Sequence, residues 1–449
     1  MFLKIIIKTI KMKKVTLIMA FLFILGSLNA QQILIRNANV FDGKSEQLQY
    51  GVDVLVEGNL IKQIGKDIKA NRRTQIIEAN GLTLMPGLID AHVHLSLNMN
   101  FLGMFYQQPD YLAAIALEEA KNTLMRGFTS VRDTGGEVLG IKLAIDQGHA
   151  IGPRIWAAGA GICMTGGHAD LRPQAQRPRQ LGGPVYTDGE YNGIAVIADG
   201  VPEVLSAARL QMRKGSAFIK MFTSGAVSGM YDPLDIGEFS FDEIKAAADE
   251  AKRWNTYLAV HSYNEKGTRL ALEAGAMSIE HANLMTEETM KLLVEKGAFL
   301  STQTGVYFSD APENWSEESK MKHDKARDGI DNLFKLAKKY NAKITIGSDY
   351  VDNAEQKKGQ SFELSNRLKW WTAPEILKQA TSGNAEILYF SGPRNPYPGK
   401  LGLIETDALA DILLVKGDPT KDLTLFHDSE NNIQLIMKDG KIYKNTINN

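Results

Sequence analysis

Two histidines separated by one residue end an apolar run early in the chain. The apolar segment 84–89 leads into His92 and His94. Because side chains alternate between the two faces of a β-strand, these two imidazoles point the same way and can reach one point in space. Neutral imidazoles are common ligands of divalent transition metals. A single His-x-His pair is weak evidence for a metal site, so further ligands are needed to support it.

Four more candidate ligands follow, each in or at the end of its own strand-like apolar run. They are Lys220, His261, His281 and Asp349. Taken singly, a strand-end histidine or an aspartate after Gly-Ser is more often a cap or turn residue. A lysine inside an apolar strand is harder to dismiss, because burying an unpaired ammonium is costly. The order His-x-His, Lys, His, His, Asp along successive runs indicates one shared site.

This ordered set resembles the amidohydrolase superfamily, and the resemblance covers almost the whole chain. It implies an α/β fold, a (β/α)₈ TIM barrel whose strands carry the ligands at their carboxyl ends. It also implies two divalent metal ions, with zinc the expected metal, and a carbamylated Lys220 that bridges them. The ligands implied by the resemblance are His92, His94, Lys220, His261, His281 and Asp349.

The chemistry expected of such a site is hydrolysis of a C–N amide bond. Two divalent ions can share a metal-bridging hydroxide and polarise the carbonyl that it attacks. Asp349 can take the proton of the attacking water and deliver it to the leaving nitrogen. The ammonium of an unmodified Lys220 has no lone pair near neutral pH, so it would be a poor ligand without the carbamate.

Two loop residues are candidates for substrate binding. His168 follows a pair of glycines after the predicted third strand, where it could donate a hydrogen bond to a substrate oxygen or, as a catalytic residue, to the tetrahedral intermediate. Tyr231 follows the Lys220 strand and could bind a substrate carboxylate through its hydroxyl. These loops resemble imidazolonepropionase-like proteins and the Xaa-Pro and Xaa-Arg dipeptidases (prolidases). They favour a dipeptidase for Xaa-Pro-type dipeptides. The alternatives are hydrolysis of a cyclic amide or amidine, and a non-catalytic scaffold of the same fold.

Length and composition agree with a large enzyme that acts on a small molecule or a dipeptide. The 449 residues suffice for a barrel of typically ~250 residues and a second domain. A net charge of −1 provides no basic surface for nucleic acid. The β-rich ends predict a composite β-sandwich domain from residues 31–85 and 391–449, around a barrel of residues 86–390. Whether the chain forms a homo-oligomer is left open.

The first 30 residues have the pattern of a signal peptide. Lys11, Lys13 and Lys14 precede an uncharged run that ends at Leu28, and small Ala30 stands before the expected cleavage point. The run is shorter than the ~20 residues of a membrane-spanning helix. We therefore expect a secreted, periplasmic protein with no stable membrane anchor after cleavage.

Other polar residues receive structural interpretations. Arg132 and Asp133, near the end of the predicted second strand, are interpreted as a structural pair. His323 and His427 lie in charged segments and are expected to be exposed. His149 lies in a predicted turn, and none of these three histidines is assigned a role.

Overall fold

The computed structural model describes residues 31–99, 103–104, 106–229, 231–309, 311, 315–351 and 354–447. The predicted signal peptide therefore lies outside the described residues. Among the helices in these ranges, none combines the length and the apolar character that a bilayer crossing requires.

Strands from both ends of the chain share one eight-stranded sheet. Its strands are β1 (Gln32–Val40), β2 (Gln49–Glu57), β3 (Leu60–Gly65), β4 (Gln75–Glu78), β5 (Thr83–Pro86), β16 (Ile412–Val415), β17 (Ile433–Lys438) and β18 (Lys441–Asn445). Their order is β18-β17-β16-β5-β1-β2-β3, with β4 paired to β1. The antiparallel pairing of β16 with β5 joins the two termini. Alternating β-branched and aliphatic residues such as Ile33, Ile35 and Val54 bury one apolar face.

The middle of the chain alternates short buried strands with helices. Its strands are β6 (Leu88–Val93), β7 (Phe128–Asp133), β8 (Arg154–Ala157), β9 (Gly161–Cys163), β10 (Ala195–Ile197), β11 (Ile219–Phe222), β12 (Leu258–Ser262), β13 (Ser278–His281), β14 (Phe299–Thr302) and β15 (Lys343–Ile346). All of their pairings are parallel. Hydrogen bonds divide them into the sheets β6-β7-β8 and β10-β9-β11-β12-β13-β14-β15. The fold is therefore α/β, and its parallel strands are nearly continuous apolar runs because both faces are covered.

Helices follow most of the parallel strands and begin and end at recognisable caps. Asn264, for example, accepts a hydrogen bond from the backbone N–H of Gly267, and Gly275 ends the same helix in a left-handed conformation. The α-helices are α1 (Pro109–Met125), α2 (Leu139–Asp146), α3 (Asp188–Tyr191), α4 (Val201–Lys214), α5 (Phe241–Arg253), α6 (Glu265–Ala274), α7 (Glu287–Lys296), α8 (Gly305–Phe308), α9 (Glu317–Lys339), α10 (Ala354–Lys357), α11 (Phe362–Asn366), α12 (Ala373–Lys378), α13 (Asn384–Tyr389) and α14 (Ser429–Asn432).

The first and last parallel strands, β6 and β15, are linked by a buried amide side chain. Asn384 accepts from the N–H of Ile346 at 2.9 Å and donates to the carbonyl oxygens of Ile89 and Ile346 at 2.7 and 2.8 Å. Beyond β15, the N–H of Asp349 donates to the carbonyl of His92 at 2.9 Å. These bonds bring Asp349 beside His92, at the carboxyl ends of both strands.

Candidate metal centre

Six side chains with metal-ligand chemistry line one cavity at the carboxyl ends of the parallel strands. Strands β11, β12 and β13 are neighbours in one sheet, which places three of the six side by side. All six are buried except for parts of His94 and Asp349, whose side chains are 13% and 16% exposed. The six are those that the sequence predicted as ligands: His92, His94, Lys220, His261, His281 and Asp349.

Asp349 stands at the centre of three of the histidines. Its Oδ1 lies 3.3 Å from Nε2 of His92 and 3.2 Å from Nε2 of His94, and its Oδ2 lies 3.8 Å from Nδ1 of His281. One ligand atom from each of His92, His281 and Asp349 lies within 4.8 Å of the others. Asp349 and His281 also adopt left-handed backbone conformations, with φ of 55° and 72°. Such strain in residues other than glycine is concentrated at functional sites.

His261 carries a buried ring nitrogen that a metal ion would satisfy. Its Nδ1 lies 3.0 Å from Nε2 of His281, while its Nε2 has no hydrogen-bond partner among the residues that the structure describes. Burial, and then the nearby His281, lower the pKa of His261 well below its usual value, so the ring is neutral. A neutral imidazole is the form that binds metals. Leaving a buried polar atom unpaired is costly, so this nitrogen fits a metal ligand better than a structural role.

Lys220 is a buried amine at the same cavity. Within the described part of the chain, its Nζ makes neither a hydrogen bond nor an ion pair, and it lies 5.7 Å from the centre of the Phe222 ring. Burial lowers the pKa of Lys220 to about 8. The amine is therefore partly neutral near physiological pH, which is unusual for lysine.

Three oxygen acceptors orient His92, His94 and His281 through hydrogen bonds to the Nδ1 atoms of their rings. Nδ1 of His92 lies 2.8 Å from Oε2 of Glu280, and Nδ1 of His94 lies 2.8 Å from the carbonyl oxygen of Gly135. These oxygens accept hydrogen bonds from Nδ1, which leaves the Nε2 atoms of both rings directed to Asp349 and the cavity. Gln303 does the same for Nδ1 of His281 at 2.8 Å. Glu280 and Gln303 were missed in the sequence, where nothing marks them as partners of these histidines.

Arg132 completes this support, but with a partner that the sequence did not predict. Its Nη2 donates to Oε1 of Glu280 at 2.7 Å and its Nη1 to Oε2 at 3.2 Å. Asp133 instead accepts from the backbone N–H groups of Leu95 and Gly135, at 2.8 and 3.3 Å. The predicted Arg132–Asp133 pair is therefore wrong, because neighbouring strand residues point to opposite faces and meet different partners.

Breaking this buried pair should destabilise the protein. Glu280→Gln leaves the fully buried guanidinium of Arg132 without its counter-charge, so we expect a loss of about 3–5 kcal/mol in the free energy of unfolding. Denaturant titration of the variant measures it. The control is Lys245→Gln, which breaks an exposed pair with Asp249 and should cost under ~1 kcal/mol. If both variants lost the same free energy of unfolding, the buried pair would contribute no more to stability than the exposed pair.

His168 also lines the cavity. Its ring stacks on the His261 ring, with centres 4.7 Å apart and planes at 13°. Its Nδ1 lies 3.2 Å from Oδ2 of Asp232. Burial disfavours the charged form of Asp232, but the hydrogen bond from His168, the charge of that ring and the N–H of Ala226 together hold the pKa of Asp232 below its usual value. The ionised carboxylate thus keeps hydrogen on Nδ1 of His168, and Nε2 is left for a ligand.

Tyr231 is not at the metal cavity. It is 42% exposed and lines a neighbouring cavity with Arg172 and Tyr106. That cavity and the metal cavity share Ala169 and Leu171 as lining residues.

A third cavity opens on the Asp349 side and is rich in aromatic rings. We call it the aromatic pocket; its lining includes Tyr263, Tyr307, Trp315, His323, Tyr350 and Val351. Asp349, Ser228 and Tyr263 line both this pocket and the metal cavity. The Tyr263 ring stacks on His281 at 4.8 Å, and its hydroxyl is hydrogen-bonded to that of Tyr307. His323 is buried, so its predicted exposure is wrong: it lies on the face of α9 that packs Ala326 and Ile330 inward.

Comparisons with known proteins found a family, related sequences and related structures. A model of the family described as "Amidohydrolase family" matches residues 83–443. The ochratoxinase of Aspergillus niger is 29% identical over 377 residues, covering 80% of this chain and 75% of its own. The crystal structure of a prolidase complexed with N-methylphosphonate-L-proline is 30% identical, with a TM-score of 0.85 over 92% of this chain and 100% of that one. A Xaa-Pro dipeptidase with methionine bound in its active site is 29% identical, with a TM-score of 0.79 and the same coverages.

Proposed function

This chain belongs to the amidohydrolase family and is a hydrolase that acts on carbon–nitrogen bonds, and we propose that it is a binuclear metal-dependent dipeptidase for Xaa-Pro-type dipeptides. The observation that carries the proposal is the convergence of four histidines, Asp349 and Lys220 on one cavity. Two of its relatives are named prolidase and Xaa-Pro dipeptidase. Their likeness supports proline as the leaving residue.

The residues present fit two divalent ions. His92, His94 and Asp349 offer one cluster of donor atoms, while His261, with its unpaired Nε2, and His281 offer another. When bound, such ions would lower the pKa of a water molecule and polarise the scissile carbonyl. Zinc is the expected metal, because imidazole and carboxylate ligands both suit it.

A carbamate on Lys220 would join the two clusters. The proposal is supported by the burial of Lys220, by its Nζ without a polar partner in the described residues, and by its pKa of about 8. A neutral amine is the form that adds carbon dioxide. The product would be an anionic ligand with two oxygens, where an ammonium could not bind a cation at all.

The chain's own groups then divide the work of hydrolysis. Asp349 holds the proton taken from the attacking water and passes it to the departing proline nitrogen. His168 donates a hydrogen bond to the substrate oxygen on which negative charge develops, and the contact of its Nδ1 with Asp232 at 3.2 Å holds the ring in place. Burial of the centre excludes bulk water and strengthens both interactions.

The proposal extends to the architecture and the cellular location. The parallel strands β6–β15 would form the (β/α)₈ TIM barrel of the family, with residues 86–390 as its domain. The strands of residues 31–85 and 391–449 would form the β-sandwich domain. Residues 1–30 would act as a signal peptide and direct the chain to the periplasm.

Tyr231 is proposed to bind the substrate carboxylate, which would have to extend from the metal cavity into the neighbouring one. Tyr231→Phe removes one hydroxyl, so kcat/KM for free dipeptides should fall about 5- to 150-fold, which corresponds to a loss on the order of 1–3 kcal/mol of transition-state stabilisation. A carboxamide-capped dipeptide should lose the same interaction in the unmutated enzyme, and the two losses should not add.

A dipeptide library assayed with metal-loaded protein tests the proposed function. We expect Xaa-Pro dipeptides to have the highest kcat/KM. Equal cleavage of capped and free dipeptides would contradict carboxylate recognition by Tyr231. Turnover of cyclic amides with none of dipeptides would contradict the dipeptidase proposal and favour the cyclic-amide alternative.

A further inference from the structure

His323, one of the residues that line the aromatic pocket, carries a buried nitrogen whose hydrogen-bonding capacity is unused. Nε2 of His323 lies 3.2 Å from the carbonyl oxygen of Val306. A carbonyl can only accept, so Nε2 carries a hydrogen, and a ring with that single hydrogen has a lone pair on Nδ1. The described residues that line the pocket include one buried side-chain polar atom that has no hydrogen-bond partner. This atom is Nδ1 of His323. The carboxylate of Asp324 lies 3.7 Å away, beyond hydrogen-bond distance.

The walls around His323 suit a flat apolar group. The ring of His323 lies 6.1 Å from that of Tyr307 and 6.2 Å from that of Trp315. The hydroxyls of Tyr263 and Tyr307 are hydrogen-bonded to each other, and Val306 and Val351 add aliphatic surface. Aromatic rings prefer such edge and stacked neighbours.

The charges of the pocket argue against a carboxylate or an ammonium as its occupant. Its described lining residues include no lysine or arginine to pair with an anion. The carboxylate in the lining is Asp349, which the proposed metal ions would engage. Asp324 has a side chain that is 57% exposed and is paired with Arg327 at 2.8 Å, so it contributes little to an internal cation site.

We propose that the aromatic pocket binds the side chain of the residue Xaa, and that Nδ1 of His323 selects an aromatic side chain with a hydrogen-bond donor, as in tyrosine or tryptophan. This inference rests on the proposed function. In an Xaa-Pro dipeptide the proline ring has no donor, so a donor in the pocket must come from Xaa. The pocket begins at Asp349, within reach of a substrate whose carbonyl lies at the metal centre.

Selection follows from the cost of leaving His323 unpaired. A ligand with a phenol hydroxyl satisfies Nδ1, whereas one with a plain ring buries it again without a partner. A binding site built around such a group rejects the ligand that lacks the donor more strongly than an apolar pocket rejects a missing methylene. Tyr-Pro should therefore exceed both Phe-Pro and O-methyltyrosyl-proline in kcat/KM by about tenfold or more.

Three variants test the role of His323. His323→Phe keeps a ring but removes both nitrogens, so the tenfold preference should fall to about one. His323→Gln retains an amide N–H for Val306 and an oxygen acceptor, so part of the preference should remain. His149→Phe is the matched control, because His149 is exposed in a turn. It should leave the preference unchanged.

A direct binding measurement keeps this inference separate from the proposed function. Isothermal titration with p-cresol and with 4-methylanisole compares a ring that has a hydroxyl donor with one in which a methoxy group replaces it. We expect p-cresol to bind the metal-loaded wild-type protein about tenfold more tightly, and His323→Phe to lose that difference.

Equal binding of the two rings, a preference that survives in His323→Phe, or a higher kcat/KM for Lys-Pro than for Tyr-Pro would overturn the inference. If no dipeptide is hydrolysed, the proposed function fails, while the p-cresol comparison still decides the role of His323. If His323→Phe does not fold, the wild-type ratios and the His323→Gln variant decide it.

Discussion

Replacing Asp349 with asparagine is expected to lower kcat by ~10²-fold or more, because asparagine cannot accept the proton of the attacking water. Asparagine is nearly the same size, and its amide oxygen can still face the imidazoles of His92 and His94, which lie 3.3 and 3.2 Å from Oδ1 in the native chain. Steady-state rates with an Xaa-Pro dipeptide measure the effect. Metal content must be measured on the same sample, so that loss of a ligand and loss of a base can be told apart.

Asp328→Asn provides the control for this substitution. Asp328 lies on α9, its side chain is 77% exposed, and we expect its loss to leave kcat unchanged within about twofold. An Asp349→Asn protein that keeps both its metal and its full turnover would show that Asp349 is not the general base.

Replacing Lys220 with alanine should remove most of the activity, by ~10²-fold or more, because the proposed bridging carbamate between the two clusters would be lost. The alanine leaves a space where the long side chain stood. Short carboxylic acids should partly restore turnover by occupying it. Rates measured with and without added acetate or propionate test this expectation.

Lys343→Ala is the matched control for Lys220, since Lys343 is an exposed lysine at the start of β15. It should retain normal turnover and show no response to added acids. If Lys220→Ala also retained normal turnover, Lys220 would be a buried structural residue and the bridging role would be wrong.

The candidate metal ligands could be predicted from the sequence because short apolar runs mark the strands that carry them. Each candidate ligand stands in or after a short apolar run, and the carboxyl ends of parallel strands meet at one edge. The structure brings His92, His261 and His281 together in this way, across strands β6, β12 and β13. That these residues bind metal stays a prediction.

What could not be predicted depends on partners far apart in the sequence. Glu280 and Arg132 are separated by 148 positions, and nothing local signals their bidentate contact. Tyr231 belongs to a loop whose path decides which cavity it lines. The burial of His323 could have been found, because Ala326, Ile330 and Leu333 repeat at helical spacing along the same face. The charged residues between them hid that pattern.

Elemental analysis of the purified protein, combined with activity before and after chelation, tests the central claim most directly. The account predicts about two divalent transition-metal ions per chain, loss of dipeptide hydrolysis when a chelator removes them, and recovery when zinc is returned. Protein without transition metal whose hydrolysis is unaffected by chelators would contradict it.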